Sequence, residues 1–143
     1  MEHSLAGFMA QKAETMGVEK VAVSRRFKDE NGNPILWEIR PITTKKDEEI
    51  RKYCTKRVKV PGKPGIMVPQ LDSDQYIGMM AAECTVYPEL NSAKLQESYH
   101  ACGPDALLKA MLLPGEYANF AKKIQEINGF DETMDDKVAE AKN

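Results

Sequence analysis

Residues 29–34 read Asp-Glu-Asn-Gly-Asn-Pro, and apolar residues alternate with polar ones on both sides of them. Asn31-Gly32 constrains the fold more than any other pair, because both residues tolerate positive φ and so permit a tight chain reversal. Before it, Val21, Val23 and Phe27 fall on one face, with Ala22, Ser24 and Arg26 on the other. After it, Ile35, Trp37 and Ile39 oppose Leu36, Glu38 and Arg40. A period of two is that of a half-buried strand, so the pattern predicts a β-hairpin over about residues 20–41. Pro34 opens the second strand, where its missing N–H does little harm. Two strands alone are marginal in water, so the Val21/Val23/Trp37/Ile39 face must pack against helices or further strands.

Elsewhere the period is mostly helical. Leu5, Phe8, Met9, Lys12 and Met16, after a Ser4 cap, predict a short amphipathic helix ending at Gly17. Thr44 and Asp47 form a capping signature. Asp47/Arg51 and Glu48/Lys52 are favourable i,i+4 pairs, and Ile50, Tyr53, Cys54 and Val58 make the inward stripe. Asp72 or Ser73 caps a helix over 76–86 whose apolar residues cover much of its circumference, which predicts the most central position. A short helix from Ser92 carries Leu95, Tyr99 and Cys102 and ends at Gly103. Pro104 opens the next, with Leu107, Leu108, Met111 and Leu112 inward. A further helix uses Tyr117, Phe120, Ala121, Ile124 and Ile127 and stops at Asn128-Gly129, and a final polar one starts at Asp131 with Met134 and Val138. Leu112-Leu113-Pro114-Gly115 is then a corner between two helices, with Leu113 alone lacking a core role. The expected fold is α+β and mainly α-helical, one N-terminal β-hairpin packed on a bundle of five to six short helices. All 143 residues form a single domain, with an N-terminal helix and hairpin over 1–42 and a helical part over 43–143.

Residues 59–74, Lys-Val-Pro-Gly-Lys-Pro-Gly-Ile-Met-Val-Pro-Gln-Leu-Asp-Ser-Asp, are punctuated by three prolines and two glycines, which predicts a loop with no regular element. Loops of that length inside a compact domain are uncommon and often functional. Ile66, Met67 and Val68 at its middle are more apolar than a solvated linker needs. Either they fold back onto the core or they dock a partner.

Chemistry is harder to find. Cys54, Cys84 and Cys102 with His100 lack the paired spacing of a zinc site. Cys54 and Cys102 complete the apolar stripes of their own helices, and no Cys carries the local signature of an activated thiolate. Gly62-Lys63-Pro64-Gly65 lacks the frame of a phosphate loop. No metal, cofactor or catalytic group is therefore assigned. Six of the thirteen residues from Arg51 to Lys63 are positive, yet the net charge is −2 and acids precede the run by one helical turn. A solvated or partner-facing helix fits this better than a nucleic-acid groove. No stretch approaches the roughly 20 apolar residues of a membrane span. The N-terminal residues lack a signal pattern, and three widely spaced Cys suit reduced thiols in a cytosol. Eight Met against four Phe and one Trp give a soft apolar set, which fills irregular cores and also serves adaptable binding surfaces.

Several segments, taken in order, resemble the XkdN-like phage tail assembly chaperones of Gram-positive prophages and tailed phages. They are FKDENGNPILWEIRPIT, DEEIRKYCTKRV, the VPGKPG turn, AAECTVYPELNSAKLQESY and LLKAMLLPGEYANFAKKIQEINGFDETMDD with a VAEAKN end. The resemblance runs from about residue 5 to the last residue. It implies a non-enzymatic assembly factor that acts in the host cytoplasm and is absent from the finished virion. Its expected partner is the tape measure protein, kept soluble until tail tube subunits polymerise around it. A frameshifted longer form, where one exists, would recruit the tube protein, and this sequence would be the short form; self-association is a further expectation. On that footing Ile66, Met67, Val68, Leu113 and Tyr117 are the candidate partner-binding residues. The competing function is a small nucleic-acid-binding regulator that uses the basic 51–63 segment.

Overall fold

The computed structural model of the chain describes residues 3–14 and 17–130. Strands β1 (Glu19–Val21) and β2 (Trp37–Ile39) pair antiparallel, with Glu19 opposite Ile39 and Val21 opposite Trp37. This is the hairpin that the alternation predicts, with Trp37 and Ile39 fully buried and Val21, Val23 and Phe27 packed against the core. Its turn is wider than a two-residue Asn-Gly reversal. Asp29 Oδ1 accepts from the Asn31 and Asn33 amides, both at 2.9 Å, and Gly32 takes φ 82°. The Asp29 carboxylate therefore organises the reversal, and Gly32 supplies the left-handed residue.

Helix α1 (Thr44–Cys54) is capped by Thr43, one residue earlier than expected, whose hydroxyl accepts from the Lys46 amide. Helix α2 (Ser73–Cys84) is capped by Asp72, which accepts from Gln75 N. The two helices end alike, with a Cys as the last helical residue and a Thr after it. Thr55 Oγ1 donates to Arg51 O and Thr85 Oγ1 to Ala81 O, both at 2.7 Å. Each hydroxyl satisfies a carbonyl of the last turn, and the β-branched residue then continues in extended conformation. The helices predicted to reach Val58 and Val86 are shorter for this reason, and Tyr53 faces solvent instead of joining the stripe.

Each Thr opens a strand. β5 (Thr85–Tyr87) adds to β2 and makes a three-stranded sheet in the order β1-β2-β5. β3 (Thr55–Lys59) and β4 (Met67–Leu71) form a separate antiparallel pair, where the proline and glycine punctuation predicts a loop without regular structure. Helices α3 (Ala93–Ser98), α4 (Pro104–Met111) and α5 (Pro114–Ile127) complete the described fold. The expected α+β architecture holds, with five α-helices among the described residues, and α2 is central, packing against α1, α4, α5 and β5. Trp37 joins sheet to bundle, its ring 5.4 Å from that of Phe120 in an edge-to-face pair.

Three further expectations change. Residues 6–8 make one 3-10 turn with no buried side chain, so the N-terminal stretch forms no amphipathic helix among the described residues. Helix α3 closes with His100 in the left-handed region (φ 53°), earlier than the predicted stop; Gly103 precedes α4 instead. Cys102 is exposed and does not complete a stripe, whereas Cys54 and Cys84 are buried. Met16 and the final helix predicted from Asp131 lie outside the described residues.

Candidate docking surfaces

The β3–β4 pair is an arm. Its reversal is built from two consecutive X-Pro-Gly-X quartets, Val60-Pro61-Gly62-Lys63 and Lys63-Pro64-Gly65-Ile66. In each, the fourth amide donates to the first carbonyl, Lys63 N to Val60 O at 3.2 Å and Ile66 N to Lys63 O at 3.3 Å. Gly62 (φ 75°) and Gly65 (φ 79°) hold the third positions. Proline second and a left-handed glycine third define a type II turn, so residues expected to break structure return the chain on itself. The arm is anchored at its base, where the Asp72 amide donates to Cys54 O at 2.9 Å and Leu71 packs against the core.

Ile66, Met67 and Val68 are 48%, 40% and 41% exposed, so they do not fold back onto the core. Strand alternation puts the opposed Val58 and Val68 on one face of the arm, and Met67, opposite Lys59, on the other with Arg57 and Pro69. Residues 55–71 carry Lys56, Arg57, Lys59 and Lys63 and no acid. The arm thus presents apolar patches edged by positive charge.

The second surface is the α4–α5 corner. Leu112 is buried and Leu113 is 54% exposed, with Pro114 at the first position of α5. The corner is clamped from the sheet side. Arg26 Nη2 donates to Met111 O at 2.6 Å and to Glu116 Oε1 at 2.7 Å, and the same Glu116 oxygen accepts the Leu113 amide at 2.8 Å. The Arg26 hydrogen bond, then those of Ser24 and the Leu113 amide, lower the Glu116 carboxyl pKa to about 2. Tyr117, grouped with Leu113 from the sequence, is half-buried and packs against the core. Its hydroxyl would lie 3.4 Å from a Cβ placed on Gly78 of α2. The five candidate residues therefore sit on two different elements.

A third surface is not legible in the sequence. A groove of about 290 Å3 lies between α2, α5 and the arm's base, with Leu71, Ile77, Met80, Ala121, Ile124 and Phe130 in its lining and the half-exposed Arg51 at its rim. Tyr76 belongs to it too. Its ring lies 4.5 Å beneath the Arg51 guanidinium and its hydroxyl donates to Asp47, which also pairs with Arg51 at 2.9 Å. Burial and then that carboxylate push the Tyr76 phenol up to about 12, so the rim keeps its hydrogen bond throughout the physiological range. The signal that could have revealed the groove is Phe130, an aromatic placed just beyond a helix stop.

Burial pushes the Cys54 and Cys84 thiols up, away from the thiolate that nucleophilic chemistry needs. Among the described residues, no group of three or more His, Cys, Asp or Glu is placed to hold a metal ion. No described helix is long and apolar enough to cross a membrane.

Known proteins share this arrangement over nearly the whole chain. Residues 5–142 match the family described as phage XkdN-like tail assembly chaperone protein. The chain is 39% identical to the phage-like element PBSX protein XkdN of Bacillus subtilis, over 99% of this chain and 95% of that one. It is 38% identical to the uncharacterized protein YqbN of the same organism, over 99% and 94%. The fold superposes on the crystal structure of YqbN with a TM-score of 0.79 at 32% identity, covering 92% of this chain and all of the other. The chain belongs to the XkdN-like family of phage tail assembly chaperones.

Proposed function

We propose that this protein binds the tape measure protein of its phage or prophage, keeps it soluble, and helps bring tail tube subunits to it. It acts in the host cytoplasm and does not remain in the virion. The observation that carries this reading is the display of apolar side chains on the basic arm and at the Leu113 corner, in a chain of the tail assembly chaperone family. A tape measure protein is a long chain with apolar helix faces, and many copies of a small module can cover it through weak, repeated contacts. Met67 on the arm suits such a partner, because methionine re-packs against varied apolar surfaces.

Co-expression with a tape measure fragment tests the proposal. The fragment is expected in the soluble fraction with this protein and in the pellet without it, and an insoluble fragment in both cases would count against it. The four cations of the arm, of which Lys56 alone is paired among the described residues, with Asp72 at 3.7 Å, favour one second reading, a nucleic-acid contact. That reading requires affinity that falls steeply with salt in proportion to the phosphates contacted. Titration against duplex and single-stranded DNA and RNA at low salt separates the two, and an absence of binding removes the second.

A further inference from the structure

The two edges of the arm differ in what they offer a further strand. At the turn Val60 N donates to Ile66 O at 3.2 Å, and at the base the Asp72 amide donates to Cys54 O at 2.9 Å. Between them Lys56 lies opposite Gln70 and Val58 opposite Val68 at the same parity, so these residues bond inward across the arm. Arg57 and Lys59, with Pro69 and Met67 opposite, turn their backbone groups outward instead. On the β4 edge Pro69 interrupts the outward row, because it has no N–H to offer. On the β3 edge the Thr55 amide closes α1 on Lys52 O, which leaves the amides and carbonyls of Arg57 and Lys59 as the open row. Among the described residues no backbone group bonds to that row, and both residues are exposed.

Charge selects the strand that can add there. Arg57 and Lys59 share one face of the arm with Met67 and Pro69. Asp72, which pairs with Lys56 at 3.7 Å, and Asp74 line a hollow with Val58, on the other face near the base. A second β3 edge would bring cations directly opposite one another, which is unfavourable, whereas carboxylates in those positions are favourable. Phosphodiester groups could meet the side-chain charge, but they accept without donating and leave the two carbonyls unmatched. We propose that the outer edge of β3 takes up an extended acidic segment of a partner protein as an added antiparallel strand. One residue of that strand exchanges both backbone bonds with Arg57, and the residue two positions earlier does so with Lys59. Carboxylates at these two positions lie beside the Arg57 and Lys59 side chains, and the residue between them, an apolar one, lies beside Val58. The recognised pattern is therefore acidic, apolar, acidic, with backbone bonds supplying affinity and alternate side chains supplying specificity. This inference stands apart from the tape measure reading, because its probe is a peptide and its readout the β3 backbone.

Titration of the isotope-labelled full chain with the peptide acetyl-Ser-Thr-Glu-Val-Glu-Thr-Ser-amide at low salt tests it. Exchange of the Arg57 and Lys59 amides should slow by about tenfold or more at saturation, while the Met67 amide, on the edge that Pro69 interrupts, is unchanged. The same peptide N-methylated at both Glu keeps its charge but loses the donors, and should bind at least about tenfold more weakly. Arg57→Glu/Lys59→Glu should reverse the preference, taking a peptide with Lys in place of Glu better than the acidic one. If that variant does not fold, the N-methylated comparison on the unaltered protein carries the test. Absence of saturable binding overturns the proposal, and so does equal binding of the N-methylated peptide. Protection of the same amides that grows with protein concentration in the absence of peptide also overturns it, because a second copy would then be the occupant.

Discussion

At the scale of single residues, Glu116 joins more of the molecule than its surface position suggests. One carboxylate oxygen ties Arg26 of the N-terminal region to the first turn of α5, and Arg26 also holds the Met111 carbonyl. Its pKa is depressed from an ordinary 4.5 to about 2, so the sign is that of a group favoured when charged. The clamp contributes fully above the ordinary value and is lost as pH falls through about 2. Thermal midpoints measured from pH 7 down to pH 2 should therefore drop along an acid limb that Glu116→Gln shallows, with the variant already weaker at neutral pH. An unchanged limb would mean that the clamp does not form in solution. Asn128 shows the same economy. Its side-chain oxygen accepts the Ile42 amide at 2.9 Å, and its amide group donates to Ile124 O at 2.8 Å and to Cys84 Sγ at 3.4 Å. In the sequence Asn128-Gly129 reads as a helix stop; its bracing of two other elements depends on partners 44 and 86 residues away, beyond any local pattern.

Among the elements, legibility tracks the range of the interactions that define each one. The β1–β2 hairpin is visible in the sequence because its alternation and its turn are local, and α4 and α5 because Pro104 and Pro114 open them and their apolar stripes are regular. The arm is hidden because Pro61, Gly62, Pro64 and Gly65 each read singly as breakers, whereas in quartets they make consecutive turns. Pro69 within β4 argues against a strand too, but a two-stranded arm has only edges, where proline is tolerated. β5 merges with the helix before it, since three residues after an apolar run carry no period of their own. Of the candidate site, Ile66, Met67, Val68 and Leu113 are displayed at the surface while Tyr117 is drawn into the core, which its stripe with Phe120 and Ile124 allows equally well. The arm touches the core mainly through Leu71, so its stability is expected to be local. Gly62→Ala with Gly65→Ala forces two side chains into left-handed backbone, at about 1 kcal/mol or more each. Hydrogen exchange at Lys56, Val58 and Val68, which share the ladder parity of the bonded Val60 and Asp72 amides, should accelerate while global urea stability moves by less than about 0.5 kcal/mol. A global loss of about 2 kcal/mol would show instead that the arm is part of the main cooperative unit.

Across the whole molecule, one core organised by α2 and Trp37 carries the fold and leaves the arm, the corner and the groove as surfaces. That division suits an assembly chaperone, because contacts with a partner can change without disturbing the packing that keeps the module folded. The family fixes the broad role, and the proposed docking through the displayed apolar residues is open to test by mutation. Met67→Asp and Leu113→Asp add charge where side chains are already wet, so each should keep the wild-type thermal midpoint. The most direct measurement is light scattering of a tape measure fragment diluted from denaturant in the presence of this protein. Wild type should suppress aggregation in proportion to its concentration, and the folded Met67→Asp/Leu113→Asp variant should lose most of that suppression. Equal protection by both proteins would show that the arm and corner are not the docking surfaces, and no protection by wild type would contradict the chaperone mechanism itself.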